Sequence, residues 1–391
     1  MNGEIDGFNM STSTFRYYIE HRNTSGTLLR RIEDIVDSMD FNYDRIGGMG
    51  EFQLAVNQQI DDAVRFNADD DIRLYVKTIV GSSYELCYRG YVNSYEPKVE
   101  GYKDKWLVKG TGYISQLERF IVTHTYESAS VETIIKDILD NYVVGEEGSD
   151  ITYSSPDIEN TGLVISQIDF DDTAISAIQK LADICGQREW GVDENAQFFF
   201  KQRSNDIREI LFIGNDFSSY SVLDDWENIA NRIEIRGGRK GDGTIYQFAV
   251  NNTQSQTKFG LRARIYNNAS IQNDTDANRY GQSILQEVSN VSRRARGELR
   301  TYPDWFHRET PIGVIQVPNL DVGFGRTIFN TQLYGVPKYG GIDTFQVNSI
   351  NYRLAKNGGG FQITLDLGNT RPDLFTPIAR LDFGLEQVRA R

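Results

Sequence analysis

Residues 169–200 read DFDDTAISAIQKLADICGQREWGVDENAQFFF. Ala174, Ile175, Ile178, Leu181, Ala182 and Cys185 recur at the spacing that lines up one face of an α-helix. Asp171 or Asp172 is placed to cap that helix, because a carboxylate accepts from the unpaired N–H groups of the first turn. Gly186 is a natural residue just past its end. EWGVD and AQFFFKQ then read as the two arms of a β-hairpin turning at Asp193-Glu194-Asn195. The acidic residues at both ends therefore cap and turn the chain. The stretch reads as scaffold, not as the floor of an active site.

Working outward, the periodicity changes on either side. SASVETIIKDILDNY (128–142) puts Val131, Ile134, Ile135, Ile138, Leu139 and Tyr142 on one helical face, with Ser130 as N-cap. GEEGSDITYSSPDIENTG (145–162) reads as a polar loop. Before residue 120 the chain alternates apolar and polar residues. GGMGEFQLAV (47–56) predicts a glycine turn followed by a strand, and IRLYVKTIV (72–80), ELCYRGYV (85–92) and KWLVKGTGYI (105–114) predict further strands. LLRRIEDIV (28–36) fits a short helix or a strand. After residue 206 strands return in NRIEIRGG (231–238), TIYQFAV (244–250), TFQVNSINYRL (344–354) and FQITLDLG (361–368). A helix over 276–293 interrupts them, aligning Tyr280, Ile284, Val288 and Val291 with Ala277 and Leu285 beside them. The fold class is mainly β with an α+β insertion, and such strand spacing fits sandwiches or barrels. The domains expected are 1–120 (β), 121–205 (helix and hairpin), 206–375 (β) and a tail, 376–391, that docks on a neighbour.

The chain has 391 residues and a net charge of −14, which argues against a general basic face for nucleic acid. Cys87 and Cys185 allow one bridge but no disulfide framework, and two buried thiols in a reducing compartment are expected. The N-terminus MNGEIDGFNMSTST has neither a basic n-region nor an apolar h-region, so no secretory signal is expected, and no apolar run is long enough for a membrane span.

The search for chemistry yields little. His21, His124 and His307 lack a second His or Cys at metal-ligand spacing. GxSxG is absent, and no phosphate-binding glycine loop follows a strand. GRKGDG (238–243) reads as a basic hairpin turn. NADDD (67–71) and NDTDAN (273–278) look like fragments of calcium loops but lack the glycine and distal glutamate, and Asp274 or Asp276 reads as a helix cap instead. PDWFHRET (303–310) sets Asp304 and Glu309 beside Trp305 and His307, an arrangement that suits a sugar subsite or a strand entry, with no second acidic cluster to pair it. No catalytic, cofactor or metal residue is assigned.

The order of elements resembles the baseplate hub, or tail hub, proteins of tailed phages, related to the hub part of type VI secretion spike proteins. EFQLAV, IRLYVKTI, YRGYV and WLVKGTGYISQLERF precede the two helical segments. Ile134, Ile135, Asp137, Ile138, Leu139 and Tyr142 match the family's "II.DIL..Y" helix. Ala177, Ile178, Leu181, Ala182, Gly186, Trp190, Val192, Asp193, Phe198 and Phe200 match "AI..LA...G..W.VD....F.F". ENIANRIEIRGG (227–238) and FQITLDLGNTRPDLF are similar to the family's re-entry strand and ending. The resemblance spans roughly residues 15 to 375.

What the resemblance implies is a non-enzymatic virion protein with two tail-tube-like β domains and a peripheral helix-hairpin module. Three chains would form a pseudo-sixfold ring joining the tail tube to the tip around the DNA-ejection channel. Its partners would be the distal tail or tail tube protein, the tape measure protein, and a tip, spike or fibre chain, with DNA only in transit. The negative charge would then keep phosphate from sticking in the lumen. With no needle, fibre or lysozyme segment after residue 375, puncturing and receptor binding are expected of partner chains. The competing readings are a hexameric distal tail protein, a tail-associated wall hydrolase and a secreted sugar-binding protein.

Overall fold

A computed structural model describes residues 15–57, 65–78, 83–100, 103–186, 188–213, 216–239, 243–268, 271, 273–300, 312–318, 342–355 and 360–368. The chain is mainly β, in two compact units: one of Met1–Phe41, Glu51–Thr111 and Tyr352–Gln362, the other of Asn42–Gly50, Gly112–Asn351 and Ile363–Arg391.

In chain order come β1 (Phe15–Arg22), β2 (Leu28–Arg31), β3 (Val36–Asp44), β4 (Ile46–Val56), β5 (Asp71–Thr78), β6 (Glu85–Glu100) and β7 (Lys103–Thr111). In the first unit the bonded order runs β4-β7-β6-β5-β1-β2, every pair antiparallel. Alternation places Ile72, Leu74 and Val76 of β5 inside, as their period-2 spacing predicts. Phe41 stacks on Tyr352 at 4.7 Å between ring centroids, with Phe361 edge-on at 6.3 Å. Such aromatic pairs add to the burial of their large apolar area. Residues 28–36 are not helical: Leu28–Arg31 form β2, and Val36 begins β3.

The second unit continues with a 3-10 helix (Tyr113–Arg119), β8 (Ile121–Ser130), α1 (Val131–Tyr142), β9 (Thr152–Ile158), β10 (Val164–Thr173), α2 (Ala174–Cys185), β11 (Arg188–Val192) and β12 (Gln197–Gln202). Then follow β13 (Ile207–Ile210), β14 (Phe217–Asp225), β15 (Arg232–Arg239), β16 (Ile245–Asn251), α3 (Thr253–Phe259), β17 (Ala263–Asn267), α4 (Asp274–Val288), β18 (Ser292–Leu299), β19 (Val314–Pro318), β20 (Ile342–Ala355) and β21 (Gly360–Gly368). The paired sets are β14-β18-β21, β13-β19-β20, β11-β12-β9, β8-β10 and β16-β15-β17.

The helices form where periodicity and caps put them. Ser130 Oγ accepts from Thr133 N, and α1 buries Val131, Ile134, Ile135, Ile138 and Leu139. The cap of α2 is neither Asp171 nor Asp172 but Thr173, whose Oγ1 accepts from Ser176 N at 3.3 Å. Both aspartates lie in β10, opposite Thr123 and Val122 of β8, so the strand runs one residue past the expected cap. Helix α4 starts at Asp274, not 276, because Asn273 Oδ1 takes Asp276 N at 2.9 Å. It ends at Val288, since Ser292–Leu299 are claimed by pairing with β14 and β21. Its buried line is Ala277, Gly281 and Leu285, with Tyr280, Ile284 and Val288 on the flanks. Gly281 sets that rotation: a Cβ there would stand 1.9 Å from a methyl of Val250.

Three further expectations change. The segment 145–162 is not all loop, for β9 pairs parallel with β12, Tyr153 opposite Phe198. The strand from 105 stops at Thr111, and Tyr113–Arg119 turn into the 3-10 helix. The glycines at 47 and 48 are not a turn but part of β4, which pairs parallel with β11: Gly47 opposite Gly191, Gly48 opposite Val192. A Cβ on Gly48 would lie 2.2 Å from Val192 O, and one on Gly191 would lie 2.3 Å from the Gly47 carbonyl carbon. Gly48 also has a φ of 77°, which a side chain disfavours. The 376–391 tail lies outside the described residues.

Gly48→Ala should therefore cost about 3 kcal/mol or more, since strain and overlap with immovable backbone add. Gly145→Ala, at φ 83° but with open space around it, should cost about 1 kcal/mol. Denaturant unfolding followed by circular dichroism measures both, and equal losses would show that the approach at Gly48 is unimportant.

Candidate functional site

The sequence reads the helix-hairpin segment as scaffold, and the structure shows what its polar residues do. Asp172 accepts from Thr173 N at 2.8 Å and pairs with Lys180 Nζ at 3.0 Å. Burial opposes its charge, but Lys180 and the N–H bond outweigh it and hold the carboxyl below its usual range. Asp171 accepts from Thr123 Oγ1 at 3.4 Å. In the hairpin turn Asp193 Oδ1 accepts from the backbone N–H groups of Asn195 and Gln197, both at 2.8 Å. Burial pushes Asp193 up, and burial plus the charge of Asp193 push Glu194 up to about 7.

The centre of this unit holds an acid that periodicity does not single out. Glu189 lies on β11, where all five residues are buried. A strand covered on both faces shows no alternation, so its one carboxylate passes for an ordinary polar position. Glu189 Oε1 accepts from Ile312 N at 2.9 Å. Burial dominates and pushes the carboxyl up to about 7, although the Ile312 N–H, Arg45, Arg203 and Lys201 all favour the charged form. Arg203 in turn reaches Glu287 of α4 at 3.4 Å. Beside Glu189, Trp190 is fully buried and opposite Phe200.

The arrangement is structural in its chemistry. Glu189 bonds a backbone N–H, Asp193 holds the hairpin turn, and Asp172 pairs with Lys180. A cleft of about 360 Å³ runs beside the end of α2 and α4, lined by Cys185, Gly186, Arg188, Arg279, Gln282 and Ser283 among others. It is open and polar, whereas small-molecule sites are mostly apolar and enclose their ligand. Cys87 and Cys185 are free thiols, so no bridge joins them; Cys87 is buried and Cys185 half-buried.

The remaining candidates that fall among the described residues have protein partners. In the NADDD segment, Asp70 Oδ2 accepts from Asn67 N at 2.7 Å and bonds His21 Nε2 at 2.8 Å, while Asp71 takes Arg73 and Arg89. These carboxylates face protein donors rather than a shared cation. Burial holds the His21 imidazole below its usual pKa, with Asp70 pulling the other way. Asp274 accepts from the Tyr246 hydroxyl, and Asp276 from Asn273 Nδ2 at 2.7 Å. His124 packs on Tyr126 at 4.5 Å. Among the described residues, no three His, Cys, Asp or Glu side chains gather to hold a metal. No described helix is long and apolar enough to cross a membrane. Asp304, Trp305, His307 and Glu309 lie outside the described residues, as do 240–242 of the GRKGDG turn, whose flanking strands β15 and β16 pair antiparallel.

The fold has relatives among solved structures. It is similar to the tail protein from Neisseria meningitidis MC58, with a TM-score of 0.62, 11% identity and coverage of 90% of this chain and 96% of that one. It is similar to the 43 kDa tail protein of prophage MuSo2 from Shewanella oneidensis, with a TM-score of 0.61, 12% identity and coverage of 92% and 98%. A chain of the Francisella PdpA–VgrG complex in its lidded form matches with a TM-score of 0.53, 11% identity, and coverage of 94% of this chain but 55% of that one. No family model matches the sequence, and neither does any curated protein sequence. The fold is thus shared with the Neisseria and Shewanella tail proteins over nearly the whole length of each chain.

Glu189 gives a pH test. Its folded pKa lies above the 4.5 of the free acid, so the folded state binds the extra proton between about pH 4.5 and 7. Stability is therefore full below that window and falls as pH rises through it, with a limiting slope of ~1.4 kcal/mol per unit. Glu194 acts in the same sense and window. Urea midpoints from pH 5 to 8 should decline in the wild type, decline less steeply in Glu189→Gln, and flatten only when Glu194→Gln is added. A wild-type midpoint that rises over this range contradicts the assignment.

Proposed function

We propose that this chain is a structural protein of a phage tail, the hub that joins the tail tube to the tail tip. The observation that carries the proposal is the fold, shared with two tail proteins over nine-tenths or more of this chain and of each of theirs. Glu189, Asp193, Asp172, Asp71 and Asp70 bond backbone N–H groups or pair with lysine, arginine and histidine, which suits an assembly part rather than a catalyst. In this reading three copies make a pseudo-sixfold ring, with residues 1–120 and 206–375 as the two tube-like domains of each and 121–205 on the periphery. The ring surrounds the ejection channel and meets the distal tail or tube protein on one side and a tip, spike or fibre protein on the other. The tape measure protein and DNA pass through it, in a virion assembled in the host cytoplasm. The charge of −14 favours passage of phosphate without binding.

Electron microscopy of the purified chain, with light scattering on the same sample for mass, tests this. A threefold ring with an open channel and six similar lobes is expected. A sixfold ring of one lobe per chain would indicate a distal tail protein instead.

A further inference from the structure

Two faces of the second unit stand open to solvent and carry opposite charge. The first belongs to the sheet β16-β15-β17. Ile233, Ile235, Tyr246 and Val250 are buried on one side of it, in a cluster with Ala277 and Leu285 of α4. Side chains alternate along a strand, so Arg232, Glu234 and Arg236 of β15 point to the other side. There Ile265 lies opposite Glu234, Gln247 opposite Arg236, and Ile245 opposite Arg239 past a register shift. Ile245 and Ile265 are both near half exposed, and Arg236 and Arg239 are exposed. The three strands hold four arginines and a single acid, Glu234, which Arg232 takes at 3.0 Å. The fourth arginine, Arg264, lies opposite Ile233 and reaches Asn228 Oδ1 at 3.5 Å.

The second face belongs to the two-stranded ribbon of β8 and β10. Val122, Tyr126, Ile168 and Phe170 are buried on one side of it. On the other, Glu127 lies opposite Gln167, Asp169 opposite Thr125 and Asp171 opposite Thr123, all of them exposed. The ribbon holds four acids and no lysine or arginine. Asp172, the fourth acid, is taken by Lys180 of α2. Ile121 and Val164, at its two ends, are more than half exposed. Among the described residues no ion pair engages Arg236, Arg239, Glu127 or Asp169.

The two faces complement each other in charge and in apolar content. Each presents free charge of one sign, and each flanks it with two exposed β-branched residues. A chain of charge −14 repels its own copies, so contact between copies is favoured where one of them presents positive charge. The open face of β15 presents it, and the ribbon presents the matching acids. Either face against its own twin would oppose like charges, which favours a head-to-tail contact over a twofold one. Burial of the four apolar side chains would add to the pairing of charges.

We propose that the β8–β10 ribbon of one copy docks on the open face of β16-β15-β17 of the next, and that this contact links the copies of the ring. The inference rests on the hub reading, which supplies the second copy. It gives the peripheral module a task, strapping one copy to its neighbour.

Charge reversal tests it on the full chain, with mass read by light scattering along a dilution series. Arg236→Glu with Arg239→Glu, or Glu127→Lys with Asp169→Lys, should each weaken association by about tenfold or more, because like charges then meet. The four substitutions together should restore it. All four side chains are exposed, so circular dichroism should show an unchanged fold. A second measurement keeps every charge. Arg236→Lys with Arg239→Lys supplies amines that a carbodiimide joins to carboxylates. A mixture of heavy-isotope and unlabelled chains should then give cross-links from the β15 peptide of one isotope to the β8 or β10 peptide of the other. Association unchanged in both reversed variants, a loss that the fourfold variant does not restore, or cross-links confined to one isotope would each overturn this contact and leave the hub reading standing. A wild-type chain that stays monomeric at the highest concentration reached overturns both.

Discussion

The second unit depends on one close approach of backbone to backbone. Gly47 and Gly48 of β4 lie against Gly191 and Val192 of β11, and no side chain fits between them. Parallel pairing of this kind needs a long crossover. Here everything from Met49 to Glu189 lies between the paired residues in sequence, including the α1 and α2 module. Such a contact orders a long stretch of chain before it is rewarded, which makes it costly in loop entropy and slow to form. What offsets that cost is the β11–β12 hairpin, whose Trp190, Val192, Phe198 and Phe200 are all fully buried. Burying each aromatic of this size stabilises by about 1.5–3 kcal/mol.

The same unit shows how an acidic chain manages its carboxylates. Those near the surface are held in charge-assisted bonds, as Asp172 is by Lys180 and the Thr173 N–H. Those drawn inside, Glu189 and Glu194, are pushed toward neutrality by the loss of water around them. A perturbed carboxyl is often a sign of catalysis. Here the first partner of Glu189 is a backbone N–H, so its role is to satisfy the chain entering β19 at Ile312. This is why the fold, rather than any cluster of reactive groups, carries the functional reading.

Much of this was legible in particular residues. The α1 face Val131, Ile134, Ile135, Ile138 and Leu139 is buried as its spacing predicts, and the hairpin turns at the expected Asp193-Glu194-Asn195. Other residues misled for physical reasons. Asp171 and Asp172 are good caps, but Thr173 is also one, and pairing of β10 with β8 decided between them. TYSSPDI looks like loop because its polar residues give no alternation, and only β12 alongside makes it a strand. Tyr280, Ile284 and Val288 look like the buried line of α4. Gly281 lets that helix press closer through Ala277 and Leu285 instead.

By itself, then, the sequence determined whatever depends on neighbours a few residues apart: the presence of the main helices, the buried face of α1, the hairpin, most strands, and a mainly β class. Local periodicity and capping act over one or two turns of chain, so they can be read along it. The tertiary structure alone decided the parallel contact of β4 with β11, the cap of α2, the rotation of α4 and the burial of Glu189. Each of these turns on residues brought together from distant parts of the chain, where packing and desolvation override what any short segment prefers.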